Sequence, residues 1–574
     1  MTLKHLAAFA ASVLVVVQMV CAQAQSSPTD NGKVIADAVY YGGVVYTVDE
    51  TRSTAEAFAV KDGRFIAVGR SDDMKQYEGP DTKKVDLKGR MVLPGIVDCH
   101  IHPVRGGLTA YGVSFDSDAS VDDIKKALKD HIDKTKPKPG DWIEGAKWGT
   151  QLLGTLNAKT LDEVSPDNPV YLHDWTNHIL AVNTKALQAA KITKDTPDPP
   201  EGKIDRDDSG DPTGILENKA ASLITNIVPP PDVKKVRDAA TTVFQNLNQY
   251  GVTSISTAQL DAVRLQAYRA MEKDGDLTLR IKGHWDYNTR YADAPLEEMA
   301  KRFNSRSKRG PVTDLIDPDG VKIYLDGVPN GYSAPYLEPY ADEHTFGTQS
   351  IDAPHLNTAV LLFDGEGLQV MMHAVGDMSV RHALDAVEAV RKANGGTTRH
   401  HLAHATSVHP EDFGRAGRLN IGVEISPWNT WAPDVGSLTW KKLLGRERMM
   451  NISPFKDLLA AGDTTGYGSD WDNVPEPDPW FAMECAVTRA NPDHPEFGQL
   501  GALQAIDLPT AIEVFTINGA FNLGKDDITG SIEPGKSADF IVISQNLFEV
   551  PATEIHNTKV LQTVLMGKTV YSGN

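Results

Sequence analysis

By its apolar and polar positions the chain falls into regions of different texture. Short alternating runs, AVYYGGVVYTVD from Ala38 and AFAVKDGRFIAVG from Ala57, predict β-hairpins, the second turning at Asp62 and Gly63. The far end repeats this texture in GSIEPGKSADFIVIS and KVLQTVLMGKTVYSG, with turns at Pro534–Gly535 and Met566–Gly567. Two β-rich ends around a different centre predict one small composite β-sandwich. It takes residues 34–92 and 527–574 and clasps a larger domain over 93–526.

The centre alternates strand-like apolar runs with helical stretches such as Val380–Ala393 and Pro410–Leu419, the pattern of βα units and a parallel sheet. The strand-like runs are MVLPGIVDCHIH, GVTSISTAQ, LTLRIKGHW, GVKIYLDG, GLQVMMHAVGD, RHHLAHATSV, NIGVEISPW and TTGYGSDWD. Eight such runs predict an α/β fold of the (β/α)8, or TIM-type, barrel class. The first two are separated by far more than one helix, so residues 103–231 are expected to hold an insertion over the barrel mouth.

The first 24 residues have a different pattern. Lys4 precedes an apolar run from Leu6 to Val20, and Ala22-Gln23-Ala24 offers a small-x-small site, which together predict a signal peptide cut after Ala24. The run is short for a bilayer span. The mature protein is therefore expected to be exported, periplasmic or secreted, without membrane insertion. At 574 residues, 41% of them hydrophobic, the chain can bury a full core. Loss of Lys4 leaves 56 Lys and Arg against 77 Asp and Glu, so the charge moves from -20 to -21. Such an acid excess argues against nucleic acid as a partner, which needs clustered cations. Cys21 leaves with the signal, and Cys99 and Cys485 read as packing residues, too few for a disulfide framework.

His100 and His102 sit two apart at the end of the first run, so their imidazoles share one face and open onto the barrel mouth. Two neutral imidazoles suit a borderline cation such as zinc. His373, His404 and Asp470 fall near the ends of the fifth, sixth and eighth runs. Lys322 lies inside the fourth, where an unpaired cation is costly. Taken singly, each has a structural reading; falling together at strand ends, they point to a metal centre.

These residues carry a resemblance. MVLPGIVDCHIHP, NPVYLHDWTNHILAVNTKAL, MMHAVGDMSVRHALDAVE, RHHLAHATSVHPEDF, the GSD before Trp471 and the closing β-runs follow one another as in the amidohydrolase superfamily. They most resemble family 3, the branch that includes N-substituted formamide deformylase. The resemblance implies that His100 and His102 hold one divalent metal and His373 and His404 another, zinc expected, with one or two ions bound. It implies that a carboxylated Lys322 bridges them, and that Asp470 binds metal and handles the proton. His178 matches a family histidine and is the candidate donor to the carbonyl oxygen.

The chain departs from the pattern in LDGVPNGYSAPY, where many members of the branch have a Gly-Ser-rich segment, and at Ala403, where relatives commonly carry an acid. Tryptophans cluster in the segments expected at the mouth: Trp428, Trp431, Trp471 and Trp480 late in the chain, Trp142, Trp148 and Trp175 in the insertion. Of these, Trp148, Trp428 and Trp471 are candidates to contact substrate, and Glu217 and Asp326 are candidate supports behind the ligands. The expected activity is hydrolysis of an amide or related C–N bond, of formamide, N-acyl or aryl amide type, in a small molecule. Ester or lactone hydrolysis, decarboxylation, and a ligand-binding barrel with a vestigial site stay open, as does a homo-oligomer.

Overall fold

A computed structural model describes residues 34–115, 118–174, 179–199, 202–287, 309–429 and 435–573. The expected signal peptide lies outside them.

All eight central runs contain a strand. They are β1 (Ile96–Ile101), β2 (Val252–Leu260), β3 (Arg280–Asp286), β4 (Ile316–Tyr324), β5 (Gln369–Ala374), β6 (His401–His404), β7 (Gly422–Ile425) and β8 (Thr465–Tyr467). Each pairs in parallel with its neighbour in chain order. The sheet nearly closes on itself where the end of β8 meets β1. There Ser469 N–H donates to Asp98 Oδ1 (3.0 Å) and Asp470 N–H to the His100 carbonyl (2.8 Å). Parallel strands covered on their outer faces bury both sides, which is why β1 and β7 are buried at every position. The main core joins outward residues such as Ile255, Ile323 and Val370 to helix residues such as Phe244, Leu384 and Phe515.

The first run is divided by the fold. MVLPGIVDCHIH reads as one strand, but Met91–Pro94 belongs to the sandwich and only Ile96–Ile101 to the barrel. Gly95 makes the joint, because the chain passes so close to Thr253 that a Cβ there would lie 2.2 Å from its Oγ1. AVYYGGVVYTVD, likewise, is not a hairpin. Ala38–Tyr41 enters a four-stranded sheet and Val44–Tyr46 the facing six-stranded one. The hairpin at Asp62–Gly63 forms, with both turn residues at positive φ (49° and 74°) and Lys61 opposite Arg64. The one at Met566–Gly567 does the same (49° and 72°).

The six-stranded sheet brings the chain ends together: Phe540–Ile543 runs antiparallel to Met91–Pro94. At the N-terminal mouth of the barrel a buried ion pair joins the two bodies, Arg280 to Asp539 at 3.0 Å, while Lys282 and Lys525 hold Asp317 within the barrel domain at 3.1 and 2.8 Å.

After β1 the chain forms a helix (Pro103–Tyr111) and then a separate six-stranded sheet before returning through the helix Val233–Gln249. Alternation along Val170–Asp174 sends Val170 and Leu172 into one core of this insertion and Tyr171 into another.

Candidate metal centre

The C-terminal ends of β1, β5, β6 and β8, with Lys322 on β4, bring six of the sequence-selected side chains together. His100 Nε2 lies 3.2 Å from Lys322 Nζ and 3.7 Å from Asp470 Oδ1, and His102 Nε2 lies 3.2 Å from the same oxygen. The His404 ring centre is 4.6 Å from that of His100 and 4.5 Å from that of His373. The imidazoles thus form a continuous row, His102–His100–His404–His373, with the carboxylate and the lysine beside it.

The donors fit a divalent cation. Ligand atoms of His100, His404 and Asp470 all lie within 4.8 Å of one another. A tetrahedral shell with metal–ligand bonds of about 2.1 Å places its ligands about 3.4 Å apart, close to the 3.2 and 3.7 Å measured here. Among the described residues the buried His102 Nδ1 finds no hydrogen-bond partner, so part of this group's bonding capacity is unfilled by them. This trio takes one residue from each of the pairs expected to hold separate ions, so the two candidate sites are contiguous.

Charge states agree with the geometry. Burial pushes His100, His102 and His404 below the usual histidine range; Lys322 depresses His100 further, Arg105 His102, and His373 His404. Each therefore offers a neutral nitrogen. Burial alone would raise the Asp470 carboxyl, but the His102 hydrogen bond and His404 hold it well below the ordinary carboxylate range. Burial also lowers Lys322 below a normal lysine, against the pull of Asp470 and Glu424. Lys322 is wholly buried, its Nζ 5.1 Å from the centre of the Tyr324 ring.

Two of the clustered residues sit in the left-handed backbone region, His404 at φ 74° and Asp470 at φ 55°. For residues other than glycine this is strained, and such strain persists only where the surroundings hold it. The His404 N–H is held by Glu424 Oε2 (2.8 Å), the Asp470 N–H by the His100 carbonyl, and Asp470 Oδ2 by the Asn473 amide (3.0 Å).

Supports behind the row are carboxylates. Asp326 accepts from His373 Nδ1 (2.8 Å) and from the N–H groups of Val375 and Gly376. Glu424 on β7 and Asp98 on β1 were missed from sequence. Glu424 Oε2 accepts from His100 Nδ1 (3.0 Å), and Asp98 Oδ1 from the His100 N–H (3.1 Å). Burial raises both carboxyls, Asp98 to about 7. The available signal was their position: an acid inside an apolar parallel strand needs a partner.

Three expectations change. Trp148 is wholly buried in the insertion core with its indole N–H on the Leu172 carbonyl (2.8 Å), so it has no face for a substrate. Glu217 stands across from Lys203 (3.3 Å) in the insertion sheet with its side chain one-third exposed, rather than behind a ligand. Trp480 is also core. Trp428 and Trp471 remain partly buried beyond β7 and β8. Trp428 stacks on Phe481 (4.2 Å), and Trp471 lies against Gly106, where a Cβ would be 2.4 Å from its ring. Trp142 packs against Tyr171. His178, Trp175 and Trp431 lie outside the described residues.

The model of the amidohydrolase family matches residues 83–571. This chain belongs to the amidohydrolase family. The match takes in the whole barrel, the insertion and the C-terminal part of the sandwich, and makes the chain a hydrolase by kinship. The amidohydrolase is 30% identical to the Bacillus subtilis (strain 168) protein YtcJ, over 93% of this chain and 99% of that one. It is 25% identical to N-substituted formamide deformylase of Arthrobacter pascens, over 92% and 97%. In fold it resembles an uncharacterized metal-dependent hydrolase from Pyrococcus horikoshii OT3, with TM-score 0.73, 24% identity, and 90% and 99% of the two chains covered.

Proposed function

We propose that this amidohydrolase hydrolyses an amide or related C–N bond of a small molecule, of formamide, N-acyl or aryl amide type. The observation that carries the reading is the convergence of neutral imidazoles, an ionised carboxylate and a buried lysine at the C-terminal ends of the strands. In a barrel enzyme that end is where chemistry is done. Kinship to a formamide deformylase supports the bond type.

His100, His102, His373, His404 and Asp470 would hold one or two divalent ions, zinc expected. Lys322 joins them as a carbamate: its neutral Nζ forms a bond to the carbon of CO2 and releases a proton, turning a buried cation into an oxygen ligand. A cation so held supplies Lewis acidity, acidifying water and polarising a carbonyl.

The remaining work falls to the chain. Asp470, ionised and with one oxygen pinned by Asn473, accepts a proton at Oδ1 from the attacking water. As the C–N bond breaks, the same carboxyl returns that proton to the leaving nitrogen. Trp428 and Trp471 border the mouth with apolar faces suited to a bulky acyl or amine group.

The purified mature protein should hydrolyse at least one member of a panel of formamides, N-acyl amino acids, aryl amides and esters. Dipicolinate should abolish that activity and zinc restore it. Undiminished hydrolysis in metal-free protein, or turnover of esters alone, overturns the proposal.

A further inference from the structure

Glu424 contacts two of the candidate ligands through a single oxygen. Its Oε2 accepts from His100 Nδ1 at 3.0 Å and from the His404 backbone N–H at 2.8 Å. The same oxygen stays 4.0 Å from His404 Nδ1, beyond hydrogen-bond reach of that ring. Glu424 is wholly buried, and its other oxygen, Oε1, finds no hydrogen-bond partner among the described residues. The end of β8 leaves room for that oxygen only because residue 468 is glycine; a Cβ there would lie 2.5 Å from Oε1.

These contacts have two consequences. With Glu424 ionised its oxygens only accept, so Nδ1 of His100 carries the proton and Nε2 keeps its lone pair, the nitrogen that faces Lys322 and Asp470. The hydrogen bond to the His404 N–H also holds a backbone turned to φ 74°, which aims that ring between His100 and His373.

We propose that Glu424 is a positioning residue that fixes the tautomer of His100 and the backbone of His404 together, so that one side chain on β7 sets two ligands from β1 and β6. The inference rests on the metal-centre reading above. No such role belongs to Asp326, which among the described imidazoles serves His373 alone. A carboxamide in place of Glu424 would present either an N–H to His100 Nδ1, reversing its tautomer, or a neutral oxygen that accepts from both donors more weakly than a carboxylate does.

The test uses full-length mature protein with Zn²⁺ and Co²⁺ as probes. Glu424→Gln keeps the shape and is expected to weaken Zn²⁺ binding, measured by competition with a chromophoric chelator, about 10- to 100-fold. It should also change the visible ligand-field bands of the Co²⁺ form. Glu424→Asp retains the charge but withdraws it by one methylene, and is expected to show the same loss. Circular dichroism checks folding, and whichever variant folds decides. Wild-type affinity and an unchanged Co²⁺ spectrum in a folded variant overturn the role of Glu424. A wild-type protein that takes up neither ion overturns the metal centre and this inference with it, which separates the two failures.

Discussion

At the residue scale, the site depends on which partner each polar group finds. Asp470 has its two oxygens divided, Oδ1 toward His102 and His100, Oδ2 toward Asn473. Asp470→Asn preserves the shape while removing the proton acceptor, so metal content should stay near wild type and turnover fall about 100- to 10,000-fold. Near-normal rates on the panel compound would remove Asp470 from the proton transfers. Lys322→Ala should lose bound metal, read by elemental analysis, and regain it when a short carboxylic acid is supplied to stand in for the carbamate. Unchanged metal content in that variant would show that Lys322 is not a ligand. The histidines, Lys322 and Asp470 were legible because polar residues at the ends of apolar runs stand out from their neighbours. Glu424 and Asp98 were not, since one acid inside GVEIS or IVDCH carries no mark of its partner in the linear chain. Trp148 misled for a related reason, because an indole that fills a core and one that lines a pocket look the same in sequence.

At the element scale, all eight strand runs contain a strand, but one run was read across a change of sheet. Hydrophobic continuity joined Met91–Pro94 to Ile96–Ile101, and only the approach of Thr253 to Gly95 shows that the chain changes sheets there. Helix ends offer a check on burial. Asp478 caps the helix Pro479–Thr488 by accepting from the Trp480 N–H at 2.8 Å, yet burial raises its carboxyl to about 6. Burial penalises the ionised form, so the stability this group confers when protonated is complete below the unfolded-chain value and is lost as pH rises through about 6. Asp478→Asn keeps a good cap without the charge. It should raise stability by ~1–2 kcal/mol at pH 8 and leave it nearly unchanged at pH 4. Denaturant unfolding at the two pH values measures this; an equal shift at both would mean that charge burial is not the cause.

For the whole molecule, a barrel is clasped by a sandwich drawn from both chain ends, and a second sheet is inserted after β1. The insertion's two cores keep it a folded layer in its own right rather than a long loop. Among the described residues no helix is long and apolar enough to cross a membrane. The export reading rests on residues 1–24 and predicts a mature protein beginning at Gln25. N-terminal sequencing of protein recovered from the periplasm or medium checks it, and an intact Met1 on protein retained in the cytoplasm would refute it.

The sequence by itself determined the order and kind of the elements, because hydrophobic period and turn chemistry are local properties of the chain. It also determined which residues have the chemistry of a metal centre. Only the tertiary structure decided which of them meet. Asp98 and Ser469, 371 residues apart, come within 3.0 Å because β8 returns beside β1, and that closure sets Asp470 against His100 and His102. It likewise decided which nitrogen of His100 faces inward, since that depends on a carboxylate arriving from β7. Contacts across a closed sheet follow from strand order and register, and neither is encoded at the residue that makes the contact.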